Sequence, residues 1–441
     1  MEPRGDKKIK IAMGITAVFV TAALFVLFWH VLWYMLVDDS ENYTRITLHE
    51  FYEQENIDYI FIGASHVRNG INPQVLDKEL DADTFNLASS SQTIDISFLM
   101  LKEAVARFSP KHVYIDLGYR MAQEHFNART SMTPSYLMTD YMKPSLRKTM
   151  FLIGKSDSDT LVNSFLLARR NNEDIINIEK IRENIQKKNS DDYKNYAYPE
   201  HAEEGYAGKG YTATPLHITE DVYCELKEDF VSEDNIDPAY FEEISKIAAY
   251  CESKNIPLSF ISLPISSYRL LGYEGYDGFD EKIREAAGQY GVSYTDYNLL
   301  KEEYWADDPR MFRDSAHLNT DGAAEFDRLL ARDILEGLPE DAFYGSLAEK
   351  NSASLPEFRG ILYSNDGDIK CDIIQSGDTP LEYRVSLADG ADNILISDWD
   401  TITSFSVPME KYDLPLCIET RAGSGPVREY TLHIGDDVLD E

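Results

Sequence analysis

Cysteine is scarce in this chain of 441 residues, which contains only Cys224, Cys251, Cys371 and Cys417. Four cysteines are too few for a disulfide-based scaffold, and none of them has the C-x-x-C spacing of zinc or redox motifs. They therefore predict no metal site. Cys371 and Cys417 both fall in strand-like runs, and one bridge between them stays an open alternative in an oxidising exterior.

Basic residues are also few, because 42 Lys and Arg stand against 77 Asp and Glu, for a net charge of −35. A body with this charge repels the phosphates of nucleic acids, so we predict no nucleic-acid partner. The acidic residues follow no calcium-loop pattern, and their excess is typical of a solvated surface. We predict neither a metal nor a cofactor.

The chain has one long apolar run, Ile11 to Val37, in which only His30 could carry a charge. The run is long enough to cross a bilayer. Basic residues precede it and acidic residues follow it: Arg4, Lys7, Lys8 and Lys10, then Asp38, Asp39 and Glu41. The positive-inside rule then places residues 1–10 in the cytoplasm and the body outside the cell, anchored in the cell membrane by a single helix.

A cleavable signal peptide is the competing interpretation of the same run, because a basic start before an apolar stretch is also its signature. The run is longer than the usual apolar core of a signal peptide, and no small-residue cleavage site ends it. We favour the uncleaved anchor over residues 11–37.

After a polar stem at residues 38–57, short apolar runs alternate with helical patterns over residues 58–338, which predicts a parallel sheet covered by helices on both faces. The predicted strands are Tyr59–Ile62, Thr84–Leu87, His112–Leu117, Leu258–Leu263 and Val292–Tyr297. The predicted helices are Gln74–Leu80, Ile94–Ala106, Ala239–Ser253 and Phe279–Tyr290. Asn72-Pro73 and Asp237-Pro238 supply capping side chains and first-turn prolines for two of them.

Two regions break this alternation. Residues 119–236 form a long insertion that we predict to be a cap or lid, with a helix over Leu161–Arg170 and a flexible loop over Tyr206–Tyr211. That loop could stack on a sugar ring or be an ordinary glycine-bearing surface loop. After a linker at residues 339–357, strand-like alternation with turn signals predicts a β-sandwich over residues 358–441.

Polar side chains follow the strands of the predicted sheet. Ser65 comes directly after the first strand, and Asp314 and His317 follow the last. In an open parallel sheet the ligand lies outside the carboxyl ends of the strands, so these side chains are expected to meet there. A serine hydroxyl becomes a nucleophile when a histidine removes its proton and a carboxylate orients that histidine. The three residues therefore predict a catalytic triad.

Gly63-Ala64-Ser65 at the end of the first strand, with Asp314-x-x-His317 near the end of the sheet, resembles the SGNH/GDSL hydrolase family. The resemblance covers residues 58–338 without the insertion. It implies a flavodoxin-like doubly wound sheet, with Ser65 as nucleophile, His317 as base and Asp314 as acid. It also implies the cleavage or transfer of ester-linked acyl groups.

The chain departs from the family pattern at three positions. Ala64 replaces the usual aspartate, and Ser91 stands where the family has a glycine whose backbone N–H helps to bind the oxyanion. The family's asparagine donor has no match after Gly118, so Arg120 and Asn69 are the candidate replacements. Losing one such donor typically costs about 10²- to 10³-fold in rate.

His66 and Arg68 follow Ser65 in the same turn and are candidate substrate-binding residues. His66 could instead simply line the pocket, and Arg68 could lie in a solvated loop.

The anchor and layout are similar to those of membrane-anchored extracellular SGNH-like proteins that accompany membrane-bound O-acyltransferases. This likeness implies a serine esterase or O-acyltransferase acting on acyl esters of a cell-envelope glycan. The expected partners are the membrane, a cell-surface glycan or acylated polymer, and a membrane-bound O-acyltransferase. The alternative is a non-catalytic protein that binds a glycan or docks an acyltransferase.

Overall fold

The computed structural model describes residues 4–123, 133–155, 158–170, 177–198, 203–218, 222–230, 232–306, 308–390 and 392–434. The strands in these residues are β1 Tyr59–Gly63, β2 Thr84–Ala88, β3 His112–Asp116, β4 Gly205–Gly208, β5 Tyr211–Ala213, β6 Tyr223–Leu226, β7 Leu258–Ser262, β8 Ser293–Asp296, β9 Glu357–Asp366, β10 Asp368–Ser376, β11 Glu382–Asp389, β12 Asp392–Asp400, β13 Ser404–Val407, β14 Leu416–Arg421 and β15 Arg428–Leu432.

The α-helices are α1 Arg4–Leu36, α2 Tyr43–Glu53, α3 Ser65–Gly70, α4 Pro73–Leu80, α5 Ile94–Arg107, α6 Thr133–Thr139, α7 Leu146–Lys155, α8 Ser158–Phe165, α9 Leu167–Arg170, α10 Ile178–Asn189, α11 Asp191–Lys194, α12 Pro238–Lys254, α13 Ser267–Leu271, α14 Tyr276–Gly288, α15 Thr320–Glu336 and α16 Leu347–Ala353.

Five parallel strands form the central sheet, in the order β2-β1-β3-β7-β8. This is the flavodoxin-like order, so the predicted α/β fold is confirmed. Strand β1 is buried on both faces, and its side chains alternate between two cores. Ile60 and Ile62 face a core that includes residues of α5, α12 and α14, whereas Phe61 faces a core that includes residues of α3, α4 and α15.

The amino-terminal helix α1 contains a stretch, Ala12–Leu36, that is long and apolar enough to cross a membrane. The segment after it differs from the predicted stem. Helix α2 begins after Asn42, whose side chain accepts a hydrogen bond from the Thr44 N–H at 2.9 Å. Phe51 of this helix is fully buried, with its ring centroid 5.6 Å from that of Phe85 on β2. Burying such a side chain contributes about 1.5–3 kcal/mol, so this segment is part of the domain.

The insertion is largely helical where it is described, and α8 and α9 cover most of the helix predicted over Leu161–Arg170. The predicted flexible loop at Tyr206–Tyr211 is instead the hairpin β4–β5. It is docked on β2, because the Asn86 N–H donates to the Lys209 carbonyl at 3.0 Å. The Tyr206 hydroxyl donates to the Glu50 carboxylate at 2.6 Å, so this aromatic side chain is bonded to the protein itself.

The carboxyl-terminal part forms two four-stranded sheets, β13-β10-β9-β6 and β12-β11-β14-β15, whose facing residues form one core. Strand β6 comes from the insertion and pairs with β9 in parallel, with Cys224 opposite Ile361. The predicted linker contains α16, and the sandwich packs on the α/β part through a 3.0 Å hydrogen bond from the Tyr268 hydroxyl to the Ile361 carbonyl. The insertion and the sandwich therefore share a sheet.

All four cysteines are free thiols, so a Cys371–Cys417 bridge is not formed. The alternation of the strands explains why. Cys371 on β10 is fully buried in the sandwich core. Cys417 on β14 lies between the buried residues Leu416 and Ile418 and therefore points to the other face of its sheet.

Candidate active site

Ser65 is the first residue of helix α3, directly after the carboxyl end of β1. Gly63 makes this sharp turn possible, because a side chain there would collide with its neighbours. A Cβ at position 63 would lie 2.4 Å from Val67 Cγ2 and 2.9 Å from Asp116 Cβ. Glycine thus allows α3 to approach β3 closely and leaves Ser65 half-buried at the edge of the sheet.

Asp314 and His317 lie in a tight loop between β8 and α15. Phe312 and Leu318 form an isolated β-bridge that closes the loop. The Asp314 side chain organises it, because Oδ1 accepts hydrogen bonds from the backbone N–H groups of Ala316 and His317, each at 2.9 Å. One carboxylate therefore caps the turn and fixes the position of the histidine that follows.

The two parts of the sheet edge meet in a continuous hydrogen-bonded chain. His317 Nδ1 is 2.8 Å from Asp314 Oδ1, and His317 Nε2 is 2.7 Å from Ser65 Oγ. When Nδ1 carries the ring proton and donates it to the carboxylate, Nε2 is unprotonated. Its lone pair then faces the serine hydroxyl. The structure thus brings together the three side chains of the predicted triad.

The Asp314 carboxylate is held in its ionised form. Partial burial works against ionisation, but the hydrogen bond and charge of His317, together with the backbone N–H of Ala316 and the charge of Arg313, lower the pKa of Asp314 well below its ordinary value. A carboxylate that stays ionised can orient the imidazole and stabilise its charged form.

Two further charged residues support Asp314, and neither was singled out from the sequence. Arg313 Nε donates to Asp314 Oδ2 at 3.0 Å, and its Nη1 donates to Glu204 Oε2 at 2.8 Å. Glu204 precedes β4 in the insertion and also pairs with Arg68 at 3.4 Å. The insertion therefore contributes a carboxylate next to the site, which the spacing along the chain does not reveal.

Arg68 is a structural residue in this arrangement. Its guanidinium is buried, donates to Ser90 Oγ at 3.1 Å and lies 4.6 Å from the centre of the Tyr43 ring. Tyr43 also binds Ser90, accepting from the Ser90 N–H at 2.7 Å. Arg68 and Tyr43 together hold the loop after β2, so the alternative of a solvated loop residue does not apply to Arg68.

The three candidate oxyanion donors lie in different surroundings. Ser91 adopts a φ of +50°, in the left-handed region that favours glycine, which suits the position where the resembled family has a glycine. Asn69 is buried, and its Nδ2 donates to the Thr212 carbonyl at 3.1 Å while its Oδ1 accepts from Arg68. Its side chain is therefore bonded within the protein through one N–H and the carbonyl oxygen, and its role as the replacement donor stays a prediction. Arg120 lies in a 3₁₀ turn after β3, at Tyr119–Ala122.

His66 lies beside the hydrogen-bonded chain, with its ring centroid 5.3 Å from that of His317 in an edge-to-face arrangement. Burial, together with the neighbouring charge of His317, lowers the pKa of His66 to about 3. The imidazole is therefore neutral near pH 7 and can act as a hydrogen-bonding group without carrying charge.

Asp116 ends β3 behind this site. Its Oδ1 accepts from the Leu263 N–H at 3.1 Å, and its Oδ2 is buried with no hydrogen-bond partner in the described residues. A Cβ at Gly118 would lie 3.5 Å from His66 Nδ1 and 3.7 Å from Asp116 Oδ2, so both polar atoms border the space next to this glycine.

No protein-family profile and no curated protein matches this sequence. Two solved structures are similar to the chain at a low level. One is described as an acylhydrolase from Bacteroides fragilis NCTC 9343, with 11% identity and a TM-score of 0.32, covering 65% of this chain and 93% of that one. The other is a GDSL-like lipase from Bacteroides thetaiotaomicron VPI-5482, with 12% identity and a TM-score of 0.32, covering 68% of this chain and 100% of that one. Likeness at this level does not assign an activity to the chain.

Proposed function

We propose that this protein is an extracytoplasmic serine esterase or O-acyltransferase that acts on ester-linked acyl groups of a cell-envelope glycan. The hydrogen-bonded chain Ser65–His317–Asp314, with distances of 2.7 Å and 2.8 Å, is the observation that carries the proposal. These distances are those of a nucleophile, a base and an orienting acid.

In the proposed reaction Ser65 Oγ attacks the carbonyl carbon of the ester while His317 Nε2 takes the hydroxyl proton. The backbone N–H groups of Ser65 and Ser91 stabilise the negative charge on the carbonyl oxygen. The ester C–O bond then breaks, the leaving oxygen receives the proton from His317, and an acyl-serine remains. Water, or a hydroxyl of a glycan, attacks this acyl-serine with His317 again as base and regenerates Ser65.

The extracytoplasmic location rests on α1 and its contacts. The basic residues before the apolar stretch favour a cytoplasmic amino terminus. An uncleaved anchor is supported by the packing at the end of α1, where the insertion binds it directly. Lys188 of α10 lies 3.7 Å from the centre of the Trp33 ring and pairs with Asp39 at 3.3 Å. Cleavage before Asp39 would remove the Trp33 ring from the buried Lys188.

The second candidate function is binding without turnover, in which the same site holds a glycan or docks an acyltransferase. The observation that favours it is the engagement of Asn69, a candidate replacement for the missing oxyanion donor, whose amide already binds the Thr212 carbonyl and Arg68. A weak oxyanion site reduces turnover, whereas it does not prevent binding.

The experiment that separates the two is labelling of the purified full-length protein with a fluorophosphonate probe, which reacts with activated serines. Labelling is expected in the wild type and is expected to be lost in Ser65→Ala and His317→Ala. Ser91→Ala is the matched control, because it removes a neighbouring hydroxyl but keeps the backbone N–H. Folded wild-type protein that takes up no label would overturn the enzymatic proposal.

Acetyl-ester hydrolysis measured with and without an added glycan acceptor then distinguishes the esterase from the transferase. We expect Ser65→Ala to lower the rate by about 10³-fold or more, the order seen when a triad serine is removed. An acceptor that diverts the acyl group from water identifies transfer.

A further inference from the structure

The apolar helix α1 is exposed over most of its length and becomes covered only near its end. From Ala12 to Val31 nearly every side chain is exposed, whereas Leu36 and Val37 are buried against the rest of the protein. The exposed part is about 20 residues, or about 30 Å of helix, which equals the thickness of the hydrocarbon core of a bilayer. The body of the protein therefore meets α1 at the height of the bilayer surface.

The insertion is the part of the body at that height. The Asn184 side-chain amide of α10 donates to the Met35 carbonyl at 3.2 Å, and the Tyr34 hydroxyl donates to Asn189 at 3.0 Å. Helix α9 packs on α1 as well, and α8 and α7 continue from α9. The helices of the insertion thus form a continuous layer next to the end of the exposed span.

This layer has an exposed apolar face. Leu146, Met150 and Ile153 of α7 are spaced so that they share one side of the helix, and they are 75%, 64% and 59% exposed. Val162 and Phe165 of α8 are 41% and 49% exposed. Outside α1, more than half of the large apolar side chains that are exposed in the described residues fall between Leu146 and Ile178.

The other side of α7 shows that the exposure is not a consequence of poor packing. Leu152 is fully buried, and Phe151 packs against the core that includes α5. Helix α7 is therefore fixed to the domain by one face and presents the other to its surroundings, as an interfacial amphipathic helix does.

We propose that this apolar face, formed by Leu146, Met150, Ile153, Val162 and Phe165, lies in the outer surface of the lipid bilayer beside α1. We assign lipid to this face because the helices that carry it belong to the layer that packs on the end of α1. That end lies at the bilayer surface, where the exposed span of α1 stops. This second contact would fix the orientation of the body, and with it the candidate active site, relative to the membrane.

The contact is apolar rather than electrostatic. Lys148 of α7 donates to the Met142 carbonyl at 3.3 Å. Three basic side chains beside the face are paired with carboxylates of the protein itself: Arg147 with Glu103 at 3.0 Å, Lys155 with Asp95 at 2.9 Å and Arg170 with Asp140 at 2.6 Å. Bases that are neutralised in this way contribute little attraction to anionic headgroups. The face should therefore enter a zwitterionic bilayer as well as an anionic one.

The test uses the full-length protein in phosphatidylcholine bilayers that contain a phospholipid with a photoactivatable diazirine on its acyl chain. After illumination, labelled peptides are identified by mass spectrometry. We expect label in α1 and in residues 146–165. The double variant Met150→Glu with Ile153→Glu is expected to lose the label on α7 while the label on α1 is unchanged, which shows that the protein is still inserted.

Leu395→Glu is the matched control, since Leu395 is 50% exposed on the sandwich, and this variant should keep the wild-type labelling pattern. Wild-type label confined to α1 would overturn the proposal and leave the face to a protein partner. A requirement for added phosphatidylglycerol would also contradict it, because the contact would then be electrostatic.

Discussion

At the scale of single residues, Asp116 shows how the site region is maintained against a cost in stability. Its carboxyl is buried, and one oxygen has no hydrogen-bond partner in the described residues. Burial, with a smaller effect from Asp296, raises the pKa of Asp116 to about 7. In the unfolded chain the same group ionises near pH 4, so the folded protein binds the extra proton between these two values.

Because the native state holds a proton that the unfolded state releases, the free energy of unfolding falls as the pH rises from about 4 to about 7. Asp116→Asn removes this titration while keeping an oxygen that can accept from the Leu263 N–H. We expect the free energy of unfolding of the variant, relative to that of the wild type, to increase by about 2–4 kcal/mol from pH 5 to pH 8.

The measurement is the melting temperature or urea midpoint of both proteins at pH 5 and pH 8. Asp308→Asn is the control, because its partner Arg310 lowers the pKa of Asp308, which therefore titrates below this range. An Asp116→Asn variant with the same pH dependence as the wild type would contradict the assignment.

At the scale of elements, the hairpin β4–β5 joins the insertion to the site. Glu204 precedes it, Asn69 binds the Thr212 carbonyl within it, and the Lys209 carbonyl accepts from the Asn86 N–H of β2. This position requires the backbone of the hairpin to come very close to β2. Gly210 permits that approach, because it has a φ of +87° and a Cβ there would lie 1.8 Å from the Asn86 carbonyl oxygen.

We predict that Gly210→Ala destabilises the protein by about 3 kcal/mol or more, because the hairpin would have to move away from β2. Gly208→Ala is the matched control on the same hairpin. Gly208 also has a positive φ, of +97°, but the nearest atom to its Cβ would be 3.8 Å away. The control should cost only the backbone strain, about 1 kcal/mol. Equal losses in chemical denaturation would show that the close approach is unimportant.

At the scale of the whole molecule, β6 joins parts of the chain that the sequence predicts to be separate. It leaves the insertion, pairs with β9 of the sandwich and carries Glu225, which binds Arg269 of α13 at 2.7 Å. Lys227 then pairs with Asp372 of β10 at 2.7 Å. With these contacts the sandwich and the α/β domain are expected to unfold together.

We predict one calorimetric transition, with equal calorimetric and van't Hoff enthalpies, for the full-length protein. Ile361→Ala, a fully buried position in β9 opposite Cys224, should shift that single transition by about 2–5 kcal/mol of stability. Leu395→Ala, at an exposed position of the same sandwich, should leave it nearly unchanged. Two transitions, of which Ile361→Ala moves only one, would show that the domains unfold independently.

The sequence by itself determined the central sheet and the grouping of Ser65, Asp314 and His317. Parallel strands buried on both faces are continuous apolar runs, so β1, β2, β3 and β7 can be read from local composition. Strand ends at one edge of such a sheet converge, which brings Ser65 close to His317. The pairing of Asp314 with His317 is local, because one turn of three residues suffices for it.

The tertiary structure alone decided the surroundings of that site. Glu204 and Arg313 are 109 positions apart, and Asn69 and Thr212 are 143 apart, so neither contact leaves a periodic or spacing signal. The short strand β6 has too few residues to be distinguished from a loop by sequence. It is a strand only because β9 provides the hydrogen-bond partners of its backbone. Partners far away in the chain, rather than local preference, fixed the hairpin, the packing of helix α2 and the hydrogen bonds of Asn69.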